Sequence, residues 1–174
     1  VIGEIEEVHA WTNRPIWPQC LNRPTDEIPV PKYLDWDLWL GPAEERPYHP
    51  AYPPWNWRGR WDFGTGALGD MACHIMDVIM RSLRLQYPTG IDASATKWTF
   101  DSPPEAEKVT FYFPERKPYK KVKMPAVKVT WYDGGLMPDR PAELDEGEVM
   151  GDRDGGVMFV GTKGKIICGS YARN

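Results

Sequence analysis

The sequence predicts an α+β fold: an open, mainly antiparallel β-sheet with one long helix packed on it and a long loop rich in proline and aromatic residues. Three observations lead there. Beyond residue 92 several strand-like runs follow one another with no helical pattern between them, and such strands favour antiparallel pairing with helices kept to one side. One amphipathic pattern long enough for a helix, about residues 67–85, precedes them. Much of the unusual content of 18 Pro and 9 Trp lies before Gly64, outside both patterns.

Taken in order, residues 4–11 have strand character. Ile5, Glu7, His9 and Trp11 share one face and Glu6, Val8 and Ala10 the other. Residues 13–32 form a Pro-punctuated loop. Residues 34–40 alternate acids with Trp and Leu, end at Gly41-Pro42, and fit a short helix or turn. Residues 44–60 interleave Pro with Trp and Tyr, and rings of that size need partners to bury against, so an ordered, extended wall is expected. Gly64-Thr65-Gly66 leads into the helix, with Thr65 as its amino-terminal cap. Leu68, Met71, Ala72, Ile75, Met76, Ile79 and Leu83 make its apolar face, while Asp70, His74, Asp77, Arg81 and Arg84 fall on one polar stripe. Strands are then expected at 92–100 and 108–113. In a third, Val127, Val129 and Trp131 alternate with Lys128, Thr130 and Tyr132, and a hairpin follows at 157–160 and 165–168 around Gly161-Thr162-Lys163-Gly164.

The 174 residues suffice for one domain with a real core. A net charge of -4 with both signs mixed along the chain excludes the basic stripe of a nucleic-acid binder. No apolar run approaches the roughly 18 residues that span a membrane. Cys20, Cys73 and Cys168 are odd in number, widely spaced and form no CxxC pair. Reduced, mostly buried thiols are therefore expected rather than a disulfide framework or a zinc site. The chain opens almost directly on a strand and stops directly after one, and so reads as a piece of a longer polypeptide truncated at both ends.

Asp70 and His74 lie four residues apart on the helix, where side chains are neighbours. A carboxylate beside an imidazole fixes its tautomer and raises its basicity, which suits a general base that takes a proton from a substrate hydroxyl. Asp77, one turn on, could orient the imidazole from the other side. Spacing alone equally describes a solvated polar face, and a metal site of Asp70, His74 and Asp77 is a further alternative. The Gly64-Thr65-Gly66 turn lacks the spacing of a phosphate cradle, and neither GxSxG nor HExxH occurs. Sugar rings stack on Trp and Tyr while polar groups bind their hydroxyls. Trp11, Trp17, Tyr48, Trp55 and Trp57, with Arg14, His49 and Arg58 as polar partners, are candidates for that role; a packed aromatic core or an oligomer interface would use the same residues.

The segment Trp61-Asp62-Phe63-Gly64-Thr65-Gly66-Ala67-Leu68-Gly69-Asp70-Met71-Ala72-Cys73-His74-Ile75-Met76-Asp77 resembles the Gly-rich Asp-x-x-x-His-x-x-Asp segment of the Gfo/Idh/MocA oxidoreductases, the glucose–fructose oxidoreductase and inositol dehydrogenase relatives. The stretches at 8–15, 34–42 and 46–50 and the late Gly161-Thr162-Lys163-Gly164 hairpin are similar to one bacterial branch of that family, so the resemblance covers most of the chain. It implies a carboxy-terminal substrate-binding and oligomerisation domain over 1–174, with an amino-terminal Rossmann domain binding NAD or NADP elsewhere. It also implies Asp70 and His74 as the catalytic acid/base pair with Asp77 supporting them, no metal, a carbohydrate or cyclic polyol substrate, and a homo-oligomer formed through the sheet. Within the resemblance an NAD-dependent glycoside hydrolase is the alternative to a dehydrogenase; a non-catalytic oligomerisation or ligand-binding module is the alternative outside catalysis. The chain has no GxGxxG fingerprint and no Glu-Lys-Pro segment, so the fragment alone is expected to be inactive, and Ala72 stands where the family pattern has Gly. Either the bacterial cytoplasm or, with an upstream export signal, the periplasm is compatible.

Overall fold

A computed structural model of the chain describes residues 1–120 and 122–173. In chain order its elements are β1 (Ile5–Thr12), α1 (Trp36–Leu40), a 3₁₀ turn (Asn56–Gly59), α2 (Gly66–Ile75), α3 (Asp77–Ser82), β2 (Gly90–Ala95), β3 (Glu107–Phe113), β4 (Arg116–Tyr119), β5 (Val122–Met124), β6 (Val127–Tyr132), β7 (Gly155–Gly161), β8 (Gly164–Gly169) and a second 3₁₀ turn (Ser170–Ala172). Six strands form one sheet in the order β2-β3-β6-β1-β7-β8. Every pairing in it is antiparallel except β1 with β6, which run parallel. That one parallel contact places the first strand in the middle of the sheet, between elements more than a hundred residues downstream.

Alternation along the strands sorts the two faces. Val8 and Ala10 of β1, Val129 and Trp131 of β6, and Val157 and Phe159 of β7 point to one side and bury against Met71, Ile75, Ile79 and Leu83 of the helices. Trp11, Tyr132 and Met158 point to the other side and form a smaller cluster with Met150. The expected strand faces hold for residues 7–11 and 127–132, but a register shift between Ile5 and Glu7 breaks the alternation, and Ile5 packs on the helix side with Val8 and Ala10 rather than on the Trp11 side.

Three expectations change. The long helix of residues 67–85 is two helices. Met76, between α2 and α3, has ψ −12°, well short of the α-helical value near −42°. Pinching the backbone at this one residue leaves Ile75 and Ile79 both fully buried on the sheet. The strand of residues 92–100 ends at Ala95, because residues 99–102 close a turn through reciprocal backbone bonds of Thr99 and Ser102. The β4–β5 hairpin, in a stretch of Lys and Pro with no clear alternation, had no sequence signal. Of the thiols only Cys168 is buried; Cys20 is half-buried and Cys73 exposed, and all three are free. Among the described residues no helix is long and apolar enough to cross a membrane.

The proline and aromatic stretch is not a flat wall. Asp35 caps α1 by accepting from the Leu38 N–H at 3.1 Å. Trp36 stacks on Trp39 and meets Tyr48 edge-on, while Trp39 and Tyr52 both reach Phe63. The buried Arg46 guanidinium lies 5.0 Å from the centre of the Phe63 ring and pairs with Asp62. The rings bury one another and fold 36–63 into a knot beside the sheet, ending where α2 begins.

Candidate functional site

Two glycines deliver the chain into α2. A Cβ at Gly64 would lie 2.6 Å from the Arg58 carbonyl oxygen, so the turn can close on the 3₁₀ segment only without a side chain. Gly66 has φ +65°, and a Cβ there would sit 2.8 Å from the Pro103 ring. Thr65 was expected to cap the helix, but its side chain makes no capping bond; the tight glycine turn sets the start instead.

The consequence is that Arg58 is held against α2. Its Nε lies 3.4 Å from the Asp70 Oδ1. Its guanidinium is sandwiched between Trp55 and Trp57, 4.2 and 4.4 Å from the ring centres, with Trp17 5.8 Å away. Aromatic faces carry negative electrostatic potential and favour a cation there. A guanidinium clamped this way has already lost most of its rotamer freedom, so its ion pair with Asp70 forms at little further entropic cost.

Asp70 therefore faces Arg58. Among the described residues no hydrogen bond or ion pair joins Asp70 to His74, which corrects the expectation of a carboxylate bound directly to the imidazole. Asp70 instead meets the cation held between the Trp55 and Trp57 rings. Asp77 does not orient His74 either. It opens α3 and pairs with Arg81, four residues on, at 3.0 Å, where an acid at a helix start and a base one turn later attract each other.

His74 sits in the last turn of α2, exposed, with its ring centre 5.4 Å from that of Tyr171. It makes no hydrogen bond among the described residues. Cys73, His74, Asp77, Val78, Arg81 and Ser82 from the helices, with Tyr171 and Ala172 from the chain after β8, line an open hollow of about 510 Å³. No three His, Cys, Asp or Glu side chains among the described residues gather closely enough to hold a metal ion, so the Asp70, His74, Asp77 metal set has no geometry behind it.

The other candidates scatter. Trp17 and Trp57 join the Arg58 sandwich, and the Trp17 indole N–H donates to the Gln19 side chain at 2.9 Å. Tyr48 and Trp55 pack as described, the first against Trp36 and the second on Arg58. Trp11 lies on the sheet face away from the helices, 2% exposed, because strand alternation sends it opposite to Ala10. Arg14 pairs with Asp154 at 3.3 Å beyond the end of β1. His49 accepts the Ala51 N–H at 3.0 Å and shapes a local turn. Trp11, Arg14 and His49 have no described contact with Asp70 or His74.

Two features of the site had no readable signal in the sequence. The Arg58–Asp70 pair joins segments whose approach depends on the Gly64 turn. Tyr171 arrives from a part of the chain nearly a hundred residues from His74.

The model of the Gfo/Idh/MocA oxidoreductase family described as its C-terminal alpha/beta domain matches residues 5–115, nearly two thirds of the chain and including Arg58, Asp70 and His74. Among curated proteins no match is found. The chain belongs to the Gfo/Idh/MocA oxidoreductase family and carries its C-terminal alpha/beta domain.

Proposed function

We propose that this domain supplies the acid–base face of a nicotinamide-dependent dehydrogenase acting on a sugar or cyclic polyol. One observation carries the reading. His74 is exposed on the rim of the hollow without a hydrogen-bond partner among the described residues, one helical turn from a carboxylate held by a clamped arginine. An unengaged imidazole on the rim can accept a hydroxyl proton from a molecule in the hollow. Asp70, paired with Arg58, lies four residues before His74 on the same helix face. The hollow is large enough for one pyranose or cyclitol ring, with the Tyr171 ring as an apolar wall and Arg81 and Asp77 as polar groups. A nicotinamide coenzyme, when bound, supplies the hydride acceptor. The residues described here fit a coenzyme held mainly elsewhere, because the His74 face is open rather than enclosed.

The test uses the full-length protein, a panel of hexoses and cyclic polyols, and NAD or NADP, with coenzyme reduction as the signal. Turnover of at least one panel member is expected. His74→Ala should lower it by about 100- to 10,000-fold, the usual range for a lost general base. No coenzyme reduction with any panel member, or an unchanged rate in His74→Ala, overturns the reading.

A further inference from the structure

The chain after β8 takes an unusual path. Tyr171 has φ 60° and ψ 27°, and Ala172 has φ 57°. Two successive non-glycine residues in the left-handed region are rare, because the Cβ crowds the neighbouring peptide. Such a conformation persists where surrounding contacts impose it, and these cluster at functional sites.

The contacts that impose it come from Asp152 and the end of β8. Asp152, in the loop before β7, accepts four hydrogen bonds. Its Oδ1 takes the N–H groups of Asp154 and Gly155 at 2.9 and 3.1 Å and the Ser170 hydroxyl at 3.1 Å; its Oδ2 takes the Ser170 N–H at 2.7 Å. The Gly155 carbonyl in turn accepts the Asp152 N–H at 2.8 Å, and the Arg173 carbonyl accepts the Gly169 N–H at 2.6 Å. A Cβ at Gly169 would lie 2.8 Å from the Asp152 Cγ, so the carboxylate reaches Ser170 only across a glycine. Ser170 is thus pinned at the end of β8, and the next residue is thrown toward the helices. Tyr171 ends half-exposed, its ring against His74 on one side and 4.9 Å from the Arg173 guanidinium. Its hydroxyl has no hydrogen-bond partner among the described residues.

We infer that Tyr171 is a substrate-binding residue of the His74 site, and that Asp152 is the latch that presents it. The inference rests on the reading of His74 as the proton acceptor in the sense that the same hollow receives the substrate. The phenol offers an apolar ring face to the C–H side of a sugar or cyclitol and a hydroxyl to one of its oxygens. Both are interactions with the bound ring rather than with the proton in flight. Tyr171 therefore acts on binding, and His74 on turnover.

Two measurements on the full-length protein with isotope-labelled histidine decide it. The first is the His74 ring-proton resonance. Tyr171→Ala should move it by removing the neighbouring ring, Tyr171→Phe should leave it in place, and Asp152→Asn should move it part of the way. Ser170→Ala, which deletes only the hydroxyl bond to Asp152, gives the same direction should Asp152→Asn fold poorly. The second is steady-state kinetics with a hexose and a cyclic polyol as probes. Tyr171→Phe should raise KM about three- to tenfold, the worth of one neutral hydrogen bond, with kcat changed by less than about twofold. An unmoved His74 resonance in Tyr171→Ala, or an unchanged KM in Tyr171→Phe, overturns the inference. Intact turnover in His74→Ala instead removes the proton-transfer reading and leaves the Tyr171 measurements to stand or fall separately.

Discussion

Asp133, directly after β6, is 1% exposed, and each oxygen of its carboxylate has a fixed donor: Oδ1 accepts the Glu107 N–H and Oδ2 the Trp131 indole N–H, both at 2.9 Å. Asp70, on α2, is partly exposed, and the one side chain that engages its carboxylate among the described residues is Arg58, at the loose distance of 3.4 Å. Beside Asp133 lie a strand pair and a buried indole; beside Asp70 lies a histidine with no hydrogen bond and an open hollow. A buried carboxylate with a fixed donor on each oxygen rigidifies the fold. A partly exposed carboxylate next to an unengaged base keeps room for a further partner, as the proposed function requires. The difference lies in hydrogen-bond satisfaction, not in residue type.

Substitution separates the two clusters by the quantity that each one moves. The largest effect belongs to His74→Ala, where turnover should collapse while urea unfolding stays within about 0.5 kcal/mol of the parent, since an exposed side chain without partners carries little stability. Asp133→Ala should do the reverse. It strands the Trp131 and Glu107 donors inside the protein and should cost about 2–4 kcal/mol of unfolding free energy. Equal losses of stability in the two variants would erase the distinction.

The same contrast explains what the sequence made legible. Val8, Ala10, Val129 and Trp131 announce themselves by alternation, and Met71, Ile75 and Ile79 by helical spacing, because burial repeats with the backbone. Position on the outer face of α2 was legible for Asp70 and His74 too. Their partners were not. Whether an acid meets a histidine or an arginine is settled by a rotamer choice and by a loop brought close through Gly64, neither of which has a period. The break at Met76 was hidden for a similar reason, since no Pro or Gly marks it and the apolar stripe runs on across it. The parallel β1–β6 pairing was hidden because consecutive strands suggest antiparallel neighbours, while β1 is separated from β6 by most of the chain.

Arg58 sharpens the comparison on the functional side. If its role is to hold Asp70, Arg58→Lys should not restore it, because an ammonium keeps the charge but cannot fill a planar slot between Trp55 and Trp57. Both Arg58→Lys and Arg58→Ala should lower kcat by up to about fivefold, in keeping with the modest worth of a partly exposed ion pair. Full activity in Arg58→Lys would show that charge alone suffices and that the sandwich is packing.

The smallest effect tests the structural cluster through pH. Burial, with the Asp133 charge adding to it, raises the Glu107 carboxyl from its ordinary 4.5 to about 7. Between those values the folded chain holds a proton that the unfolded chain has released, so the unfolded state binds fewer protons and stability must fall as pH rises across this window. The contribution of protonated Glu107 is complete below about 4.5 and gone once pH has passed about 7. Glu107→Gln is neutral at every pH and keeps the backbone N–H that Asp133 accepts. Urea midpoints of parent and variant should therefore agree near the lower end of the window and diverge toward its upper end, with the variant the more stable at pH 8. Because Glu107 is only partly buried, solvent screens much of its cost, and the gap should be a fraction of the Asp133→Ala loss. A parent midpoint that does not fall from pH 5 to 8 relative to the variant would mean that Glu107 is ionised in the fold, and that the carboxylate of Asp133 has a charged neighbour to tolerate rather than a proton to rely on.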